Sequence, residues 1–561
     1  TAESQPQPWT SRRRLRTSLP IFIMLLGLLV TVSNLSNISW RNEPLGQTME
    51  SLSSDTSVSF DNPTGESLPT RGTYEVEVLE DDMTVSRAST GEREDLHLVV
   101  RMPKGVDGKI PGVVFMHGAG YGLAKDWFID VGNDLASAGF ATIVIDKPVW
   151  STNDLTRDYP ASADAYEQAA EYLRALPNVD ADKIGIYATS ESTWISAFLL
   201  ERDPRIAFQI LVSPMVDTPR HELGFLAAQD FALVGAHPGY QSIVRRVFST
   251  DLAIFGLTNF DINTNLPRAY AVPTFVAYGS KDVMTAQVEG AADIFERAHA
   301  AGNWDVTVRS YPVANHVLRI GDEEDGDTKL ADHFEDDMVD WAVGKVRGLT
   351  QTDVKVAGTD IYQSIAVPKD LYAHRTLTVY MVAVHALAIV LLLAAAVIGL
   401  IALIRKIRYA IRRRHGPALG FINGFGGILA VLTLTTLGTL YLFGSGIAQV
   451  VMQIVSLIWG AAPNSPDMVY WSWPVIQTVT TLVVWAWSRV LARLIEVASA
   501  LGYTSMGPRR LIRQIRSGEF TRRIHKPLIA TTRLGRVQFW VTASAMFAVL
   551  LVFAFWGMFI Y

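Results

Sequence analysis

The sequence predicts an α/β domain, a doubly wound and mostly parallel sheet with a helical cap, joined to an α-helical transmembrane bundle. Three observations predict it. Short apolar runs alternate with helical patterns between residues 72 and 349. Stretches of membrane-spanning length crowd residues 377–561. Charge is segregated: acidic residues such as Asp322-Glu-Glu-Asp-Gly-Asp327 gather in the middle of the chain, and arginines cluster beside the apolar stretches.

At 561 residues the chain is too long for one ordinary core. Its mean hydropathy of +0.20 and 49% hydrophobic content favour a membrane bundle as one of the units. A net charge of only −6 argues against nucleic acid as a partner and leaves the lipid bilayer as the expected one. The absence of cysteine excludes disulfides, thiolate metal sites and a cysteine nucleophile.

Residues 1–18 are a basic N-terminus, expected to be cytoplasmic. Residues 19–40 read as a transmembrane signal anchor: Leu19 to Val32 is almost wholly apolar, follows Arg12-Arg-Arg-Leu-Arg16 and precedes no Ala-x-Ala-like cleavage site. Four further spans are expected at about 377–403, 419–442, 471–490 and 537–559. Ile447 to Trp459 is too short to cross alone and reads as a re-entrant or interfacial piece. Five spans put the arginine-rich segments 12–16, 405–414 and 509–536 all inside and Trp40 to Asp370 outside, at the cell envelope. Gly420, Gly424, Gly426 and Gly427 suggest a small-residue packing face, and His385, alone inside a span, reads as a hydrogen-bonded packing residue.

Between the anchor and the bundle, residues 41–71 read as a linker, 72–349 as the extracytoplasmic domain and 350–376 as a second linker. Tyr74-Glu-Val-Glu-Val78 and Leu96-His-Leu-Val-Val100 form an expected antiparallel pair. Gly112–Met116, Ala141–Ile145, Ile184–Tyr187, Phe208–Val212, Thr274–Tyr278 and Asp305–Val308 are buried strands of parallel type. Trp127 to Ala138 and Ser162 to Leu173 have helical periodicity. The insert at about 218–268 reads as a cap whose aromatics, including Phe225, Phe231, Phe248 and Phe260, could line an acyl-chain pocket or pack the cap itself.

Reactive groups in such a sheet sit where strands end. Ser190 stands at the apex of a strand–turn–helix segment, Ala188-Thr-Ser-Glu-Ser192, with small residues at the flanks where G-x-S-x-G has glycines. Asp282 follows the strand ending in Tyr278-Gly, and His316 follows the next. A nucleophile, then an acid, then a histidine is the order in which a base-activated serine is assembled in this kind of sheet. Asp217 is an alternative acid and His333 an alternative base. In Phe115-Met-His-Gly-Ala-Gly-Tyr121 a glycine-rich turn would aim the Ala119 amide, with that of Glu191, at an oxyanion; His117 supports the turn, and Gly118 and Gly120 supply its backbone geometry.

Taken together, His117-Gly, Asp146-Lys-Pro, Asp182-Lys-Ile-Gly leading to Ser190-Glu191, Gly279-Ser-Lys-Asp282 and Asn315-His316 resemble the α/β-hydrolase superfamily. The likeness is to its serine esterase, acyl-thioesterase and dienelactone-hydrolase-like branch, over about Tyr74 to Leu349. That branch often has Ser-Glu-Gly-Gly and Asp-Lys-Arg-Gly; this chain has Ser-Glu-Ser-Thr and Asp-Lys-Pro-Val. The expected activity is acyl transfer from an ester of an envelope lipid or other acyl-bearing substrate to water, with an acyltransferase or peptidase as alternatives. A receptor, scaffold or transport accessory with a degenerate hydrolase domain is the alternative from another class. This chemistry needs no cofactor, no metal-ligand spacing is present, and nothing in the sequence specifies an oligomeric state.

Overall fold

The computed structural model of the chain describes residues 9–38, 43–120, 122–150, 158–320, 328–412, 415–459, 468–500 and 528–561, together with Arg513 and Arg516. Trp40, Tyr121, the acidic run 322–327, Arg413, Arg414 and most of the basic segment 509–536 lie outside the described residues.

The first helix, α1 (Ser11–Leu35), is followed by β1 (Pro44–Met49) and β2 (Phe60–Asp61). Among the described residues, the main sheet has nine strands in the spatial order β3 (Val76–Ser86), β4 (Arg93–Pro103), β6 (Ala141–Ile145), β5 (Ile110–Met116), β7 (Val179–Thr189), β8 (Ile206–Val212), β9 (Thr274–Gly279), β10 (Val306–Tyr311) and β12 (Val356–Gly358). β4 runs antiparallel to both of its neighbours, and the strands from β6 to β12 are parallel. This is the expected doubly wound, mostly parallel sheet. Its central strands are apolar on both faces, with Ala141–Ile145 and Thr274–Gly279 buried throughout, because helices cover both sides.

The covering helices are α2 (Ile129–Ser137), α3 (Tyr159–Ala175), α4 (Ser192–Arg202), α8 (Gln287–Ala300) and α9 (Phe334–Val346). α3 buries Ala165, Ala169, Ala170 and Leu173 along one face, and Asp158 caps it by accepting from the Ala161 amide.

Two expected linkers are structured instead. β1 pairs with β13 (Ile361–Ile365) and β2 with β11 (Thr350–Gln351), so residues 43–71 and 350–365 strap the domain, and β12 extends the sheet itself. The strap holds because Thr56 and Val58 point inward at alternate positions, and the Thr56 carbonyl accepts from buried Arg309 Nε at 2.7 Å.

The insert is helical, with α5 (Pro219–Leu233), α6 (Pro238–Phe248) and the short α7 (Ile262–Asn265). Its aromatics do not line the cavity at the strand ends. Phe225 packs with Ala286 and Val367, and Phe260 packs edge-on against Tyr159, Trp194 and Phe198. α6 instead docks on the apolar helical bundle: Tyr240 Oη lies 2.8 Å from Ser472 Oγ, and a side chain at Gly239 would collide with the Trp473 indole.

Among the described residues, five helices are long and apolar enough to cross a membrane: α1, α10 (Arg375–Ile411), α11 (Phe425–Ile458), α12 (Met468–Ala500) and α13 (Arg533–Phe555). The segment expected to be re-entrant is the continuous end of α11, since its glycines, Gly444 and Gly446, keep helical backbone. Gly420 and Gly424 have φ of +64° and +75°, so they turn the chain into α11 rather than forming a helix face. His385 Nδ1–H donates to the Met381 carbonyl at 2.7 Å, and its Nε2 accepts from the Trp556 indole at 2.9 Å, a satisfied packing histidine.

Candidate active site

Because β5, β7, β9 and β10 are parallel, their C-terminal ends open on one edge of the sheet, and the turns after them carry His117, Ser190, Asp282 and His316. Ser190 has φ of +54°, a left-handed conformation rare for a side-chain-bearing residue. The turn is held by its neighbours. The Ser190 amide donates to the Val212 carbonyl at 3.0 Å, and Thr193 donates back to the Ser190 carbonyl through both its amide and its hydroxyl.

The flanks of this turn explain how it forms without glycines. Ala188 is fully buried between Met116 and Leu211. Ser192, also fully buried, donates its hydroxyl to the Met116 carbonyl at 2.8 Å and accepts from the Thr189 amide at 2.8 Å. A glycine could not make these bonds, so Ser192 ties the elbow to the end of β5.

Asp282 and His316 meet directly, with Nδ1 of the ring 2.9 Å from Oδ1 of the carboxylate. Oδ2 accepts from Thr285 Oγ1, and the Met284 amide donates to Oδ1 at 2.8 Å. Burial alone would raise the Asp282 pKa, but the His316 charge and these donors outweigh it and hold the carboxyl below its ordinary value. With Nδ1 engaged, the ring presents Nε2, which is buried and has no hydrogen-bond partner among the described residues. His316 and Ser190 line the same cavity of about 260 Å³.

The turn after β5 forms the roof of that cavity through His117, Gly118 and Ala119. A Cβ at Gly118 would stand 3.1 Å from the Thr189 carbonyl and 3.4 Å from Ser190 Cβ, and Gly120 has φ of +89°. His117 is buried and its Nε2–H donates to the Ile145 carbonyl at 2.8 Å. Burial pulls its pKa down to about 4, so the ring is a neutral support. Glu191 begins the first turn of α4 with its carboxylate directed away from the cavity, toward Lys147 Nζ at 3.4 Å and Tyr159 Oη at 3.3 Å.

The two alternatives lie elsewhere. Asp217 pairs with His221 at 3.0 Å, and His333 is an exposed residue ahead of α9; neither lines the cavity. Sequence reasoning missed Trp127, Phe128, Met284 and Val317 on the cavity wall, and missed that Val455, Ile458 and Trp459, at the end of α11, close its remaining side.

The sequence matches no protein-family model and no curated protein. Among solved structures it is similar to a Bacteroides ovatus protein assigned as a dipeptidyl aminopeptidase IV, at 14% identity and TM-score 0.32, over 52% of this chain and 37% of that one. The chain thus spans little more than a third of that protein. A Klebsiella pneumoniae protein assigned as a dienelactone hydrolase is similar at 14% identity and TM-score 0.31, over 47% of this chain and 95% of that one. A 2,6-dihydroxy-pseudo-oxynicotine hydrolase is similar at 16% identity and TM-score 0.34, over 50% and 70%.

Proposed function

We propose that this chain is a membrane-anchored serine hydrolase that cleaves an ester or other acyl bond of a lipid or lipid-linked substrate, with its sheet domain on the outer face. Ser190 Oγ attacks the acyl carbon as His316 Nε2 takes its proton. Asp282 orients the imidazole and stabilises its cation. The amides of Ala119 and Glu191 receive the oxyanion, and the proton on Nε2 passes to the departing alcohol as the acyl-enzyme forms. Water repeats the sequence on the acyl-enzyme, losing its proton to His316, and releases the acid and free Ser190.

The observation that carries the lipid reading is the shared cavity: Ser190 and His316 on one side, Val455, Ile458 and Trp459 of a membrane-spanning helix on the other. α11 is 34 residues long, about 51 Å at 1.5 Å per residue, against a hydrocarbon thickness of about 30 Å. Its end therefore extends past the hydrocarbon layer, and Trp459 stands well beyond Phe443, whose ring lies 6.4 Å from that of Trp473 at the start of α12. An acyl chain leaving the bilayer meets apolar wall before it meets Ser190.

Labelling of the full chain with a fluorophosphonate probe tests the chemistry. The wild type labels and Ser190→Ala does not; an unlabelled wild type, or a label that survives the substitution, refutes the reading.

A further inference from the structure

A second cavity, of about 540 Å³, lies between α1, α11 and α12 at the end of the bundle remote from the sheet domain. Its place follows from the helix directions: it meets the first turns of α1 and α11 and the last turns of α12, whereas the active-site cavity meets the last turn of α11. Three guanidinium groups face it, those of Arg14, Arg489 and Arg493, against one carboxylate, Glu496. Its inner wall is apolar, built from Leu15, Ile428 and Trp485.

The spacing is orderly. Trp485, Arg489, Arg493 and Glu496 recur at intervals of four, four and three along one face of α12. Glu496 is buried and accepts from Arg14 Nε and Nη2, each at 2.9 Å, and pairs with Arg493 Nη1 at 2.6 Å. Arg493 also donates to the Asn423 carbonyl at 3.0 and 3.1 Å, fixing the turn ahead of α11. These bonds use the one carboxylate. Arg489 makes no hydrogen bond or ion pair among the described residues, although it stands on a helix apolar enough to cross a membrane.

The geometry points to a binding site for one phospholipid with an anionic headgroup, its phosphate against Arg489 and Arg14 and its acyl chain along Trp485 and Ile428. An unpaired arginine at the edge of a bilayer is costly unless an anion meets it, and guanidinium recognises phosphate with paired donors. A free phosphate would satisfy the arginines but leave the apolar wall bare. The site is independent of the hydrolytic chemistry.

Native mass spectrometry of the detergent-solubilised full chain, offered equal phosphatidylglycerol and phosphatidylcholine, tests it. The wild type retains one phosphatidylglycerol with about fivefold preference, the effect of one unpaired arginine. Arg489→Lys keeps the preference, Arg489→Gln abolishes it, and Arg405→Gln on α10, whose arginine contacts Tyr409, keeps it. Equal retention of the two lipids by the wild type, an undiminished preference in Arg489→Gln, or an equal loss in Arg405→Gln overturns the site. Displacement of the lipid by millimolar inorganic phosphate overturns its assignment to a lipid.

Discussion

Lys147 and Glu191 form a buried pair, Nζ to Oε2 at 3.4 Å, and the same ammonium donates to the Gly118 carbonyl at 2.6 Å. One side chain thereby joins the turn after β5 to the turn after β7, the two turns proposed to supply the oxyanion donors Ala119 and Glu191. The separation of those amides depends on a brace that touches neither nucleophile nor base.

Lys147→Met should release both turns. The second-order rate of fluorophosphonate labelling is expected to fall by about 10- to 100-fold, somewhat less than the loss of an oxyanion donor. Because the two residues act as one brace, Lys147→Met/Glu191→Gln should lose no more than the worse single variant. Losses that multiply would show that the pair is not coupled.

Trp459, at the end of α11, closes one side of the cavity. Trp459→Ala is expected to leave kcat/KM on a short, soluble ester within about twofold and to lower it by about tenfold on a long-chain lipid in vesicles, since only the long chain gains from that buried apolar surface. Equal losses on both substrates would make Trp459 a general packing residue and remove it from acyl-chain recognition.

The order Ser190, Asp282, His316 was legible in the sequence because parallel strands place all their C-terminal ends on one edge, so position after a strand is position in space. Local pattern was enough for β6, whose apolar run and observed strand coincide at Ala141–Ile145. Two kinds of feature were hidden. Ser192 reads as a glycine substitute in the sequence, and its bond to the Met116 carbonyl emerges only once β5 and β7 are adjacent. That Trp459 and Ser190 line one cavity joins segments far apart in the chain, and hydropathy reports that α11 is apolar but not how far it continues or what its last turn faces. The strap was missed because its inward positions are few and scattered among exposed polar residues: Thr56 and Val58 ahead of β2, and Ala357, Ile361 and Gln363 in β12 and β13.

His117 predicts a pH dependence of folding. Its pKa falls from an ordinary 6.5 to about 4 in the folded chain, chiefly by burial and further by the Lys147 charge. Between those values the unfolded chain binds the proton and the folded chain does not. The stability tied to the neutral ring is therefore fully present above about pH 6.5 and declines as pH falls toward 4, by up to about 3 kcal/mol. His117→Gln is expected to be less stable at pH 8 yet to show a flatter thermal midpoint between pH 6.5 and 4. A slope equal to that of the wild type would mean the ring titrates freely in the fold.

Asp230 on α5 carries the opposite sign. Both its carboxyl oxygens are buried without a hydrogen-bond partner among the described residues, and burial, reinforced by the negative charge of Asp282, pushes its pKa up to about 8. From the ordinary 3.8 up to about 8 the folded chain holds a proton that the unfolded chain releases, so Asp230 costs stability increasingly as pH rises through that window and by a constant amount above it. Asp230→Asn keeps the shape and removes the titration. The variant should match the wild type near pH 4 and exceed it by at least about 1 kcal/mol at pH 8, read as a higher thermal midpoint. Because α5 also holds the loop of the proposed triad acid, with Gln229 Nε2 donating to the Val283 carbonyl at 2.9 Å, the same variant removes a like charge from the surroundings of Asp282. A stability gain that is the same at pH 4 and pH 8 would show that the carboxyl is not held protonated by the fold.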